Sequence, residues 1–377
     1  MGNHKQAKRI CPICQLEKTW EVRHETCSRE CATELNKQRC APKAVPVAQV
    51  DEFSSLVWDA IRNSKKPVSV SYLSETLDRS EKTVTAAIER LRERGYTVRL
   101  SDRGNATVHE PEINHAPITH HINQNWQEWY RFGALGDNHL CNRFARLDVL
   151  NALYDLYEKE GITAVYNTGN WLEGEASFVR NDLIEWGLDR QVDYFLKHYP
   201  QRKGVKTYYV AGNDHEGWWT KNVGIDIGRH VELRAREMGR DDLVYLGYQE
   251  ANVELRWKNG LTRTLRVSHP GGGSAYAISY KAQKYVESLQ GGQKPHILLQ
   301  GHYHKFNVGY PREVYTVDTG TTADQTSFMR QKQIQAHVGG LICEVKPNAD
   351  GTVWRFRSEF IPFYDLSVWT AKGQEAA

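Results

Sequence analysis

Five short segments beyond residue 130 each place Asp, Asn or His directly after an apolar stretch. They lie at residues 136–139, 167–170, 212–216, 268–269 and 301–304. Carboxylate and amide oxygens, together with imidazole nitrogens, are ligands that suit Mn, Fe or Zn ions. Enzymes of the α/β class position such side chains in loops at the ends of strands. The segments therefore predict a metal-dependent active site on an α/β domain.

Each of these segments needs a strand before it, and apolar runs that precede them supply the candidates. The clearest runs are residues 132–135, 208–211, 265–267 and 297–300. Residues 128–377 are numerous enough to form one large catalytic domain. We expect this domain to bring the five strand ends together at one edge, where the polar side chains would meet.

The order Asp-x-His, Gly-Asn, Gly-Asn-Asp-His-Glu, His and Gly-His-x-His resembles that of the calcineurin-like metallophosphoesterases over roughly residues 130–365. The resemblance implies an α/β fold of four layers, in which two mixed β-sheets are flanked by helices. It also implies two metal ions at the strand ends. The alternative is a coincidental arrangement of structural histidines.

Carried over by position, the resemblance assigns six ligands to two divalent ions, for which we expect manganese, with iron or zinc as alternatives. One ion would be bound by Asp137, His139 and His304, and the other by Asn213, His269 and His302. Two such ions hold a hydroxide that attacks phosphorus in line with the leaving group. The implied reaction is phosphoester hydrolysis, and the nearest functional analogy is with the SbcD-like DNA repair nucleases.

Two departures from the family pattern concern this ligand set. Asp214 stands between Asn213 and His215, so either the loop bulges and His215 remains the catalytic acid, which we favour, or Asp214 has a new role. Asn170 stands where the family has an aspartate that bridges both ions. A neutral amide binds cations less strongly than a carboxylate. We therefore expect Asn170 to inactivate the chain, either as a deliberate substitution or as a natural pseudoenzyme.

Five of the seven cysteines fall within residues 1–40, and this clustering favours metal ligation over disulfides. Four form two spaced pairs, namely Cys11, Cys14, Cys27 and Cys31. Thiolates at this spacing can close a tetrahedral zinc site, and the second pair resembles that of treble-clef zinc fingers. We predict one structural zinc in this head, followed by a linker at residues 41–50. The alternative is a disordered tail with incidental cysteines.

Residues 51–110 read as three helices followed by a strand pair and resemble a winged helix-turn-helix domain, with a second linker at 111–127. In such domains the third helix enters the major groove and the hairpin contacts phosphate. The DNA-binding candidates are Lys82, Arg90, Arg92, Arg94, Arg99 and Arg103. Acidic residues lie among them, so the alternative is a domain that contacts only proteins.

Composition limits the class of protein. The chain has 377 residues, of which 40% are hydrophobic and 25% charged, which excludes intrinsic disorder and collagen. There is no run of about 18 apolar residues that would span a bilayer, and no apolar stretch near Met1, so we expect a cytoplasmic protein without membrane contact. A net charge of +3 neither requires nor excludes a nucleic-acid partner, and the oligomeric state is left open.

Together these features predict a DNA-directed, metal-dependent phosphodiesterase, that is, a nuclease. A zinc module and a winged helix joined to a phosphoesterase indicate that nucleic acid is the substrate or the platform, while either N-terminal module could also bind a protein. Two alternatives remain open: a phosphatase acting on nucleotide or phosphoprotein monoesters, and a noncatalytic DNA-binding scaffold.

Overall fold

A computed structural model describes residues 6–10, 17–21, 51–64, 66–113, 116–123, 128–348, 350–351 and 354–363. The predicted zinc ligands Cys11, Cys14, Cys27 and Cys31 lie outside these residues. Within the head, strand β1 (Gln6–Ile10) pairs antiparallel with β2 (Glu17–Glu21). These strands belong to one compact unit, and the described chain from Asp51 onward, apart from Glu237–Gly239, forms a second one.

The second unit begins with three helices and a small sheet. In chain order the elements are α1 (Glu52–Arg62), β3 (Val68–Ser69), α2 (Val70–Thr76), α3 (Glu81–Glu93), β4 (Val98–Leu100) and β5 (Asn105–Val108). The apolar faces of the helices pack into one core around Leu73, Ile88 and Leu91. The three helices and the strand pair agree with the sequence prediction. Strand β3, which pairs with β5, was not predicted because two residues carry no periodicity.

Ser80 caps α3 as the sequence predicted. Its side-chain oxygen accepts a hydrogen bond from the backbone N–H of Thr83 at 3.2 Å. Such a cap satisfies one of the backbone donors that a helix leaves unpaired in its first turn. The start of the helix expected to contact DNA is therefore defined by a local side-chain interaction.

The larger part of this unit contains two six-stranded mixed sheets. The first sheet has the order β10-β9-β8-β7-β16-β17, with four parallel strands followed by two antiparallel ones. Its strands are β7 (Tyr130–Leu135), β8 (Ala164–Asn167), β9 (Lys206–Ala211), β10 (Leu243–Tyr248), β16 (Gly339–Pro347) and β17 (Trp354–Pro362).

The second sheet has the order β14-β15-β13-β12-β11-β6. Strands β15, β13 and β12 run parallel, while β14 and β11 are antiparallel to their neighbours β15 and β12. Its strands are β6 (Ile118–Ile122), β11 (Glu250–Trp257), β12 (Thr262–Ser268), β13 (Ile297–Gln300), β14 (Phe306–Gly309) and β15 (Tyr315–Thr319).

Helices cover the outer faces of both sheets. They are α4 (Leu147–Lys159), α5 (Leu188–His198), α6 (Gly217–Val223), α7 (Ile227–Glu237), α8 (Tyr280–Ser288) and α9 (Ser327–Gln331). Side chains of α4, α5 and α7 pack on the first sheet, and Val286 of α8 packs on Leu298 of the second. The two inner faces share one core that includes Phe132 and Leu265. The predicted arrangement of two mixed sheets flanked by helices is confirmed.

The three-helix part is attached to the segment between α6 and α7. Both the backbone N–H and the hydroxyl of Thr97 donate to the carbonyl oxygen of Gly224, at 2.8 and 2.9 Å. Gly224 has a φ of +73°, and a Cβ atom there would lie 2.3 Å from the Trp58 ring, so only glycine fits. Helix α6 begins two residues after His215, so this attachment lies directly behind one of the predicted site loops.

Among the described residues, no helix is long and apolar enough to cross a bilayer.

Candidate metal centre

The predicted strand ends converge on one cavity of about 540 Å³. Loops after β7, β8 and β9 of the first sheet face loops after β12 and β13 of the second. The cavity lining includes His139, Asn170, Asp214, His215 and His302. Residues separated by more than 160 positions in the chain thus meet because the two sheets stack face to face. The alternative of unrelated structural histidines does not explain this convergence.

One group of donors contains Asp137, His139 and His304, as the sequence assigned them. His304 Nε2 lies 3.3 Å from Asp137 Oδ1 and 3.0 Å from His139 Nε2. All three side chains are at least nine-tenths buried. Two imidazole nitrogens and one carboxylate oxygen therefore point at the same small volume.

A second group contains Asp214, His269 and His302. Asp214 Oδ1 lies 3.3 Å from His269 Nε2, and its Oδ2 lies 3.2 Å from His302 Nδ1. The sequence assigned Asn213 rather than Asp214 to this place. Asn213 is instead directed toward Gly271, where a Cβ atom would lie 3.2 Å from its amide nitrogen.

Hydrogen bonds to the far side of each ring show that these groups suit a cation. His269 Nδ1 lies 2.7 Å from the Thr168 carbonyl, and His302 Nε2 lies 2.6 Å from the Gly272 carbonyl. A carbonyl can only accept, so these nitrogens carry the hydrogen, and in a neutral ring the other nitrogen presents a lone pair. Those lone pairs face the Asp214 carboxylate, which also only accepts. A divalent cation would satisfy all of them, so the donor set fits the expected metal.

Glu173 is a site residue that sequence reasoning missed. It is fully buried, and its two oxygens lie 2.7 Å from His139 Nδ1 and 3.1 Å from His215 Nδ1. Asn142 donates to it as well, at 3.1 Å. A carboxylate that accepts from the far nitrogen of a ligand histidine sets the orientation of the ring and raises its basicity. The available signal was an acidic residue three positions after Asn170, which is weak by itself.

The charges of the buried groups are strongly coupled. Burial disfavours the charged form of Asp137, but His304, His269 and His139 outweigh it and lower the pKa of Asp137 to about 2. Burial likewise opposes protonation of His215, yet Glu173 and Asp214 raise the pKa of His215 to about 10. His215 is therefore a cation at neutral pH, and it lies beside the cavity as a source of a proton.

Five site residues have backbone conformations that are uncommon for side chains other than glycine. Positive φ angles occur at Asp137 (50°), His139 (51°), Asn170 (50°), His302 (80°) and His304 (55°). The left-handed region is sparsely populated by such residues, and held strain of this kind clusters at functional sites. The loops therefore aim these side chains into the cavity at a cost in backbone energy.

Two glycines leave room for the ligands. A Cβ atom at Gly169 would lie 2.6 Å from the His269 ring, and one at Gly212 would lie 2.7 Å from both Asn170 and His269. Gly169 also has a φ of +99°. Side chains at either position would displace His269, so the glycines of the motifs serve close approach between the two sheets.

One wall of the cavity is apolar. It is formed by Phe178, Val179, Phe328, Met329 and Ile334. The ring centroids of Phe178 and Phe328 are 5.2 Å apart, and Phe178 also meets the His215 ring edge-on at 5.3 Å. Phe178 remains 43% exposed although it is a large apolar side chain. An exposed aromatic wall beside a polar centre is typical of a ligand pocket.

The predicted DNA-binding residues have different surroundings. Arg90 pairs with Asp51, Arg92 with Glu89, and Arg99 with Glu112. Lys82 and Arg103 are exposed and have no ion pair among the described residues, while Arg94 is half-buried. The pairing of three arginines with carboxylates reduces the positive surface that these residues offer.

Comparisons with known proteins give only distant matches, and no family model and no curated protein matches the sequence. Among solved structures, an archaeal phosphodiesterase matches 61% of this chain and all of its own, with 10% identity and a TM-score of 0.31. A single mutant of Vps29 from Entamoeba histolytica matches 62% of this chain and 99% of its own, with 13% identity and a TM-score of 0.31. GAP50 of Plasmodium matches 63% and 90%, with 13% identity and a TM-score of 0.34. At this level of similarity, function has to be inferred from the residues of the site.

Proposed function

We propose that this chain is a metal-dependent phosphodiesterase that acts on DNA. The observation that carries the proposal is that two groups of carboxylate and imidazole donors face one cavity. When bound, two divalent ions would supply Lewis acidity toward phosphoryl oxygens and lower the pKa of water. This is the chemistry that hydrolysis of a phosphoester requires.

Residues of the chain supply the remaining roles. His215 is protonated and lines the cavity, so it can donate its proton to the oxygen of the leaving group. Glu173 holds both His215 and His139 through their Nδ1 atoms and fixes their relative orientation. The donor groups and the proton donor therefore form one connected assembly.

The charge of the cavity favours a diester over a monoester. Lys332 is the one lysine or arginine among the described residues that line it. A monoester dianion carries one more negative charge than a diester and calls for more cationic partners. The apolar wall offers a surface to a second organic substituent, which only a diester has.

The same wall supports a nucleic-acid substrate. Exposed aromatic rings stack on bases, and a cavity of about 540 Å³ lies in the range of sites that enclose a small ligand. We therefore propose that one nucleotide unit enters at a time, from a single strand or an end. The three-helix part, attached behind the loop of His215, would act as the DNA platform.

A substrate comparison tests the function. We expect manganese-loaded protein to hydrolyse bis-p-nitrophenyl phosphate with a kcat/KM at least about 10-fold above that for the monoester, a difference of about 1.4 kcal/mol. Single-stranded DNA should be cut faster than duplex. The Asn170→Asp protein is measured in parallel, because the sequence predicts that Asn170 inactivates the chain. A preference for the monoester would indicate a phosphatase, and no turnover by either protein would indicate a scaffold.

The platform role gives a separate prediction about salt. Replacing Lys82 and Arg103 together with Ala should lower the slope of log affinity for DNA against log salt concentration by about 2, because each lost phosphate contact releases about one counterion fewer. Arg90→Ala serves as a control, since its guanidinium already pairs with Asp51. Equal slopes for the double variant and the parent protein would assign these residues to a solvated surface.

A further inference from the structure

Asp214 and Asn170 are in direct contact within the candidate metal centre. With its amide nitrogen directed at the carboxylates, Asn170 donates to Asp214 Oδ1 at 2.9 Å and to Glu216 Oε2 at 3.1 Å. The same amide lies within 3.2 Å of His269 Nε2. The two residues that depart from the expected pattern therefore occupy adjoining positions around one histidine nitrogen.

The geometry points to an exchange of a carboxylate and an amide between these positions: Asp214 is a metal ligand that supplies the negative charge missing at Asn170. This inference rests on the proposed metal-dependent function. It means that the chain binds two divalent ions as it stands, whereas the sequence predicted an inactive site. Asn170 then contributes a neutral oxygen beside the carboxylate.

The charge of the ligand set supports the exchange. By resemblance, the expected set has two carboxylates, at positions 137 and 170, and one amide. The observed set also has two carboxylates, Asp137 and Asp214, and the amide is at Asn170. Affinity for a divalent cation depends on the number of charged oxygens around it. Moving one carboxylate to a side chain in contact with the original position preserves that number.

The direction of the Asp214 side chain gives independent support. Each of its oxygens faces an imidazole nitrogen, at 3.3 Å for His269 and 3.2 Å for His302. The far nitrogens of both rings are held by the backbone carbonyls of Thr168 and Gly272. These carbonyls orient the rings toward Asp214 independently of any interaction with it. A side chain that only filled space would not need two oriented histidines.

Four proteins test the exchange: the chain as given, Asp214→Asn, Asn170→Asp, and the double variant Asn170→Asp/Asp214→Asn. Manganese bound per chain is measured by elemental analysis after equilibrium dialysis, and affinity is measured by calorimetric titration. We expect two ions in the cavity of the given chain. Asp214→Asn should lose about one ion or weaken manganese binding at least about 10-fold, since loss of even an outer partner of a ligand has this effect.

The double variant is the decisive protein. It restores the carboxylate at position 170, so it should recover both ions, with an affinity within about threefold of the given chain. Asp241→Asn, an exposed change, serves as the control. Thermal melting of each protein shows whether it is folded, and both substitutions exchange side chains of nearly equal size.

Three results would overturn the exchange. The first is fewer than two ions in the given chain together with two in Asn170→Asp, which would favour inactivation by Asn170. The second is an unchanged manganese content and affinity in Asp214→Asn. The third is a folded double variant that fails to recover its metal. Because metal is counted without substrate, full metal content with no diester hydrolysis would reject the proposed function and leave the exchange standing.

Discussion

Replacing Asp137 with Asn is expected to reduce manganese-dependent hydrolysis of bis-p-nitrophenyl phosphate at least about 10²-fold, the scale seen when one electrostatic catalytic group is removed. Asp137 is fully buried, and its Oδ1 lies 3.3 Å from His304 Nε2. Its Oδ2 accepts a hydrogen bond from the backbone N–H of His302 at 2.8 Å. The change removes the charge that binds the cation and nearly conserves the volume of the side chain.

The measurement is kcat/KM together with the manganese content of the same preparation. Asp155→Asn is a matched control, because Asp155 is exposed on α4 and pairs with Arg202. If the Asp137 variant kept full activity and full metal content, the first group of donors would not belong to the active site. Loss of activity with unchanged metal content would give Asp137 a role other than that of ligand.

Replacing Glu173 with Gln is expected to lower kcat/KM by about 10- to 100-fold, as is typical when the outer partner of a metal ligand is changed. The carboxylate accepts hydrogen bonds from two histidines, one through each oxygen. A glutamine can accept through one oxygen only, and its NH₂ group would meet the N–H of the other histidine. Either His139 or His215 must then rotate.

The pH profile separates this role from a merely structural one. Glu173 raises the pKa of His215, so its neutralisation should lower that pKa. If His215 acts as an acid, activity is lost where it deprotonates, and the alkaline limb of the variant should therefore shift to lower pH. Glu158→Gln, an exposed change on α4, is the control. A parallel loss of rate at every pH, with a lowered melting temperature, would make Glu173 a structural residue only.

Much of the fold could be predicted because it depends on local patterns. The apolar spacing of Val84, Ala87, Ile88 and Leu91 predicts helix α3, and Ser80 marks its start. Likewise, an apolar run followed by Gly-His-x-His predicts a buried strand with a loop of ligands, as β13 and residues 301–304 show. These features depend on neighbours in the chain, so a single sequence contains the necessary information.

Assignments that depend on the conformation of a loop could not be made in this way. Whether Asn213 or Asp214 faces His269 depends on how residues 212–216 turn, and a shift of one residue changes which side chain enters the cavity. Glu173 contacts His139, which precedes it by 34 residues, and His215, which follows it by 42. A composition pattern gives no sign of such a contact.

The sequence by itself determined the types of ligand, their order, and the strands and helices that carry them, because side-chain chemistry and hydrophobic periodicity are local properties. The tertiary structure decided which donors share a cavity, how the far nitrogens of the histidines are held, and which carboxylate stands beside Asn170. The physical reason is that coordination and charge coupling act through distances of about 3 Å. Those distances are set only when two sheets stack and their loops adopt left-handed backbone conformations at Asp137, His139 and Asn170.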